Sequence, residues 1–329
     1  MLLLRSSARV NYQAETRVVV ELDANEVTLE GAAAVMFRKL LPRLNGNAPI
    51  VDLAAAIGES AERVSALTQR LESAGVLIDP RTAREDGPMS GEQFYSLHRR
   101  CAARWLRPVY DHPFWGKVVN GTATRAQVLG FAFEKYHYIE AAHEHMALAA
   151  ANATPEMMPH LARHFIEEFS HGDIYRKGLR SLFSDQAILH SQPLPSTRAL
   201  INFLNESATR SSFGYYAGNE LLQMTENADE DAVSAVSEFY TAMRAHYPFS
   251  GKLVDSFIAH TNADQKLGHE NVFAQMCASV PPLSPADVKL ALNITRSMAE
   301  HLRLFMDGID EHYARFPSLP RLPAGFMTD

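Results

Sequence analysis

The sequence predicts a mainly α-helical protein, a seven-helix bundle preceded by a small α+β domain, and three observations carry that reading. From Gly91 onward, helical periodicity runs through Ser90 to Val109, Arg125 to Ala150, Glu156 to Leu182, Thr197 to Gln223, Glu230 to Ala245, Gly251 to Ala278 and Pro285 to Tyr313, with almost no strand signal. Prolines punctuate these segments at 108, 113, 155, 193, 195, 248 and 281. All 14 histidines lie at or after His98, so the chain has one part without imidazole chemistry and one rich in it. Between them, PRTAREDGPMSGEQ (Pro80 to Gln93) is polar and contains Gly and Pro, as a linker does. The expected domains are residues 1–88 and 89–329.

The chain has 329 residues, a formal charge of −7 and 47% hydrophobic content, which suits an ordinary soluble protein with ample core material. Two cysteines, Cys101 and Cys277, are too few and too far apart for a zinc knuckle or a disulfide framework, so a reducing cytoplasm is expected. MLLLRSSARV offers four apolar residues before Arg5, too few for a signal segment. No later apolar run approaches the length that spans a bilayer, so no membrane role is expected.

In the first ninety residues, RVVVE (Arg17 to Glu21) and EVTL (Glu26 to Leu29) flank the turn-like DAN and predict a hairpin. An Ala-rich helix follows (Gly31 to Leu44), then a short one (Ile50 to Ile57) and a third beginning near Ser60. That helix carries Val64, Leu67 and Leu71 on one face and ends at Gly75, before the strand-like VLID. Two strands, three helices and a terminal strand describe a winged helix. Through Pro80 there are 8 basic residues (Arg5, Arg9, Arg17, Arg38, Lys39, Arg43, Arg63, Arg70) against 10 acidic ones, and the third helix is not basic, so nucleic acid is not the expected partner. The pattern EVTLEGAAAVMFRKL followed by IVDLAAAIGESAERVSALTQRLESAGVLI resembles the PqqD-like domains that recognise leader peptides. That resemblance implies capture of a peptide as an added strand. A structural or dimerisation arm is the plainer alternative.

In the second part, FIEEFSHGDIY places Glu167, Glu168 and His171 within one helical turn, and Glu-x-x-His is the spacing by which bundles supply a carboxylate and an imidazole to di-iron centres. Acidic pairs near a histidine are common on solvated faces, so the motif is weak alone. A second cluster answers it, His260, Asp264 and His269 in HTNADQKLGHE, and Glu220 is a lone acid in the apolar YYAGNELLQM. His269 lies five residues beyond Asp264, roughly 140° round an ideal helix, and a π-bulge near Leu267-Gly268 would bring it back. Otherwise the second metal position is incomplete, or Glu167 completes it.

The segment YDHPFWGKVVNGTATRAQVLGFAFEKYHYIEAA resembles the heme-oxygenase-like superfamily, in the branch with thiaminase II and pyrroloquinoline-quinone synthase. The Glu-x-x-His helix behind it resembles that superfamily's di-iron oxidases. This resemblance implies a seven-helix heme-oxygenase-like bundle whose metal ligands are Glu168 and His171, then Glu220, then His260, Asp264 and His269. It further implies two Fe(II) ions, dioxygen as cosubstrate and oxidation of an amino-acid-derived or peptide-borne substrate. Glu134, His137, Tyr136, Tyr215 and Tyr216 are the candidate pocket residues, with a hydrogen-bonded core or surface pair as the favoured reading of Glu134 and His137. His160 and His164 read as solvated or helix-entry residues, and His98, His190, His246, His301 and His312 show no partner pattern. Two alternatives stay open: a metal-free enzyme of the pyrroloquinoline-quinone-synthase or thiaminase kind working by acid/base chemistry, and a non-catalytic peptide-binding protein. A homodimer is compatible with the sequence, which leaves the assembly open.

Overall fold

The computed structural model describes residues 2–5, 8–79, 87–227, 229–267 and 272–323, with the side chains of 222–237 and 263–267 outside that description. The chain divides into two units, Met1–Gly87 with Arg99–Arg104, and Pro88–His98 with Trp105–Asp329.

The small unit holds β1 (Leu3–Leu4), β2 (Arg9–Ala14), β3 (Arg17–Glu21), β4 (Glu26–Glu30), α1 (Ala32–Leu40), α2 (Ile50–Ile57), α3 (Ala61–Ser73) and β5 (Leu77–Ile78). The expected hairpin is β3–β4, with Val18 opposite Leu29 and Val20 opposite Val27. Two strands went unforeseen. β2 adds to the hairpin, giving the order β2-β3-β4, and β1 pairs with β5, so the terminal strand joins the start of the chain rather than the hairpin. β2 alternates polar and apolar residues (Arg9-Val10-Asn11-Tyr12-Gln13-Ala14), a period-2 signal that was passed over in a strand that is largely exposed, and β1 is only two residues long, too short to leave one. Ser60 caps α3 by accepting from the Arg63 N–H, while Gly58 and Gly75 leave α2 and α3 at positive φ. Val18, Val20, Phe37, Leu40, Leu53, Val64 and Leu71 fill the core.

The large unit is helical: α4 (Gly91–Trp105), α5 (Arg107–Tyr110), α6 (Pro113–Val119), α7 (Arg125–Glu140), α8 (Ala142–Ala151), α9 (Met158–Glu168), α10 (His171–Leu179), α11 (Asp185–Leu189), α12 (Pro195–Arg210), α13 (Ser212–Asn227), α14 (Asp229–His246), α15 (Gly251–Leu267), α16 (Val272–Ser279) and α17 (Pro285–Arg315). Several expected long helices are therefore broken. Arg125 to Ala150 turns at Ala141, Glu156 to Leu182 at Phe169-Ser170, and Thr197 to Gln223 at Ser211. Ser211 is extended (φ −163°, ψ 110°), and its hydroxyl accepts from the Gly214 N–H, so a capping serine opens α13 within an unbroken apolar pattern. Thr124 with Gln127 and Ser284 with Asp287 form capping boxes on α7 and α17. No described helix is long and apolar enough to cross a membrane.

Missing side chains set the spacing of the helices. A Cβ at Gly130 would sit 2.1 Å from the Tyr313 ring, so α7 and α17 close only over glycine. On α10, a Cβ at Gly172 would meet the Glu140 carboxylate at 1.9 Å and one at Gly178 the Ser256 hydroxyl at 2.0 Å, so α10 is drawn close to both α7 and α15.

Candidate metal centre

Three buried side chains from three helices converge inside the large unit. Glu168 ends α9, His171 begins α10 after the Phe169-Ser170 break, and His260 lies on α15. Each offers a ligand atom within 4.8 Å of the other two. Glu168 Oε2 is 2.8 Å from His171 Nδ1, and the two imidazole rings meet edge to face with centroids 4.8 Å apart. Tyr175, one turn beyond His171, packs its ring on both His260 and Phe257. The close approach of α10 to α15 over Gly178 is what brings the two imidazoles together.

A carboxylate and two imidazoles in a site excluded from water fit a divalent metal: the donors are hard oxygen and borderline nitrogen, and two histidines with one carboxylate leave coordination positions open. Thiolate does not compete. Cys101 and Cys277 are buried, and desolvation pushes both thiols up to about 12.

The remaining expected ligands divide. Glu220 is buried on α13 but does not belong to the convergent three. Glu167, largely buried, is outside the convergent three, and its carboxylate takes a 2.8 Å hydrogen bond from Arg163 one turn earlier. Asp264 lies on α15, one turn beyond His260, with its side chain outside the described residues, as are His269 and the bulge expected at Leu267-Gly268.

The expected pocket residues are mostly engaged by the protein itself. Glu134 is fully buried, accepting a 2.5 Å hydrogen bond from Tyr313 and a 3.0 Å one from the Leu194 N–H. Desolvation raises its carboxyl above the usual range. That is the core reading: Glu134 ties α7 to α17 and to the entry of α12. His137 shares a 3.1 Å hydrogen bond with Ser191, and burial lowers its imidazole to about 4, with Arg198 and Arg321 adding to the shift. Tyr136 is buried, its phenol pushed up to about 12 by burial and then by Glu140. Tyr215 and Tyr216, on α13, give their hydroxyls to histidines rather than to open space: Tyr215 to His145 Nδ1 at 2.6 Å, Tyr216 to His164 Nδ1 at 2.9 Å.

His164 corrects the solvated reading. It is 2% exposed, and its Nε2 faces Glu168 Oε1 at 3.7 Å. One turn separates His164 from Glu168, and that spacing is the signal that finds it. His145 is likewise fully buried, its imidazole lowered to about 3 chiefly by desolvation. His98 is buried too, its Nε2 2.8 Å from the Ala217 carbonyl. The HPFW segment is structural: His112 Nδ1 accepts from the Phe114 N–H to cap α6 while Nε2 reaches Asp307 at 3.0 Å.

Comparison with known proteins bears on the fold of the large unit. The model of the TENA/THI-4/PQQC family matches residues 98–216. These residues form a TENA/THI-4/PQQC family domain. The TENA/THI-4/PQQC match takes in His145, His164, Glu168, His171 and Tyr216 and stops short of Glu220 and His260. Among solved structures, a domain of unknown function with a heme oxygenase-like fold from Shewanella denitrificans OS217 aligns with a TM-score of 0.57 at 19% identity, covering 70% of this chain and 97% of its own. A TenA homolog from Pseudomonas syringae pv. tomato DC3000 aligns with a TM-score of 0.52 at 14% identity, covering 69% and 98%. At such identities the likeness is one of fold, and the fold is heme oxygenase-like. No curated protein matches the chain.

Proposed function

We propose that this chain is a non-heme iron enzyme that uses dioxygen to oxidise an amino-acid-derived or peptide-borne substrate, with Glu168, His171 and His260 holding the first ferrous ion. The observation that carries the reading is the convergence of one carboxylate and two imidazoles, all buried, with no thiolate among them. Glu220, Asp264 and His269 are proposed to serve a second ion. Iron bound there supplies one-electron chemistry and open positions for dioxygen and substrate. The protein's part is to hold the ligands: α10 and α15 fix the two imidazoles, α9 brings in the carboxylate, and Tyr175, Tyr215 and Tyr216 exclude water around them. The test is metal analysis after anaerobic ferrous loading. Wild type should retain iron and consume oxygen, whereas His171→Ala and His260→Ala should each lose both, because one ligand of a small set is removed. Full iron content in both variants would show that these are not the ligands.

The small unit supports a second element of the proposal, capture of a peptide. A groove of about 690 Å³ lies between β4 and α3, lined by Val27, Leu29, Ala66, Gln69, Arg70, Leu71, Ser73 and Ala74. β4 is an edge strand of its sheet. A peptide strand added to that edge would gain main-chain hydrogen bonds and lay alternate side chains in the groove. Linkage to the large unit would then raise the local concentration of a peptide-borne substrate.

A further inference from the structure

Resting on the reading of Glu168, His171 and His260 as metal ligands, we infer that Tyr216 and His164 are positioning residues that fix the Glu168 carboxylate for the ion. The three groups form a line in the interior of the bundle, each 7% exposed or less: Tyr216 hydroxyl to His164 Nδ1 at 2.9 Å, then His164 Nε2 to Glu168 Oε1 at 3.7 Å. The direction of the line follows from what each end can carry. The Glu168 carboxylate offers only acceptors, so the nitrogen that faces it, His164 Nε2, is the one that carries a hydrogen, and Nδ1 is left to accept from the Tyr216 hydroxyl.

The two oxygens of Glu168 are thereby made unequal. Oε1 faces the N–H of His164, while Oε2 stands beside His171 on the side of the convergent donors. A carboxylate so oriented offers Oε2 to the ion and resists rotating both oxygens toward it. Outer partners of this kind commonly set metal affinity by about 10- to 100-fold without touching the ion. The arrangement is repeated next to it by Tyr215 and His145, whose Nε2 has no hydrogen-bond partner among the described residues, so the imidazole facing the carboxylate is what distinguishes the Tyr216–His164 pair.

The test is titration of the full-length chain with cobalt(II) alone, read by its ligand-field absorption, with thermal unfolding as the check on folding. Tyr216→Phe should weaken cobalt about tenfold or more and alter the absorption at unchanged stoichiometry, since the His164 tautomer is released. His164→Leu should lose at least as much. The double variant should match His164→Leu, because Tyr216 then has nothing to act through. If His164→Leu does not fold, His164→Gln keeps an N–H donor, and in that background Tyr216→Phe should cost less than in wild type. Additive losses, or wild-type affinity and spectrum in the single variants, would overturn the inference alone. A wild-type chain that binds no cobalt would overturn the metal reading and this inference with it.

Discussion

Gly178→Ala tests whether the packing of α10 on α15 sets the separation of His171 and His260. The added Cβ would lie 2.0 Å from Ser256 Oγ, 3.0 Å from Ser256 Cβ and 3.2 Å from the Lys252 carbonyl oxygen. Rotating the serine removes the first clash and leaves the other two, both inside the ordinary contact distance of about 3.5 Å, so the helices must part by roughly 0.3–0.5 Å. Overpacking of this size costs about 1–3 kcal/mol. Alanine in a helix returns up to about 1 kcal/mol relative to glycine, so the net loss is about 0–2 kcal/mol and the protein stays folded. Metal geometry is less forgiving, because ligand distances hold to about 0.2 Å. The expected result is a melting temperature lowered by only a few degrees with ferrous affinity weakened about tenfold or more, measured by anaerobic titration. Adding Ser256→Gly, which removes the two nearest obstructing atoms and leaves only the Lys252 carbonyl oxygen, should restore most of it. Unchanged affinity in Gly178→Ala, or a loss that Ser256→Gly fails to rescue, would refute the reasoning.

Glu134→Leu should destabilise the large unit by about 2–5 kcal/mol in denaturant unfolding, because the Tyr313 hydroxyl and the Leu194 N–H each lose their acceptor, while metal stoichiometry stays at the wild-type value. For pH, His145 is lowered to about 3 in the fold, so below its ordinary value near 6.5 the unfolded chain binds the extra proton. Its contribution is present in full above pH 6.5 and is lost as pH falls toward 3, so the difference in stability between wild type and His145→Gln should shrink by about 1.4 kcal/mol per pH unit across that window. Ala66→Phe, on the exposed face of α3, should fill the groove against β4 and abolish binding of peptides encoded beside the gene, read by fluorescence anisotropy, with iron loading unaffected.

The helical class, the β3–β4 hairpin and the Glu168–His171–His260 set were legible because each rests on a period or spacing that secondary structure imposes. α2 starts and ends where its apolar run does, and Ser60 caps α3 as its type suggests. The helix breaks were illegible, since Ala141 and Phe169 are apolar residue types that a helix accepts and a step of one or two residues leaves the apolar pattern running. The burial of His164 was missed for a related reason. His164 precedes Glu168 by one turn, and only the packing of α9 decides that it is buried beside Glu168. Tyr215 and Tyr216 were expected to line a pocket; they are buried, and their histidine partners lie 70 and 52 residues away in sequence, beyond what spacing reveals.

The step at Phe169-Ser170 bears on the order in which the centre assembles. The two imidazoles belong to helices packed together over Gly178, whereas the carboxylate arrives on α9, across a two-residue break. Local opening at such joints is far cheaper than global unfolding. A metal ion that bridges Glu168 to the histidine pair would act as a clasp across the hinge, so loading should slow amide exchange at residues 169–173 more than in the bodies of α9 and α10. The histidine pair would capture the ion, and closure of the hinge would retain it.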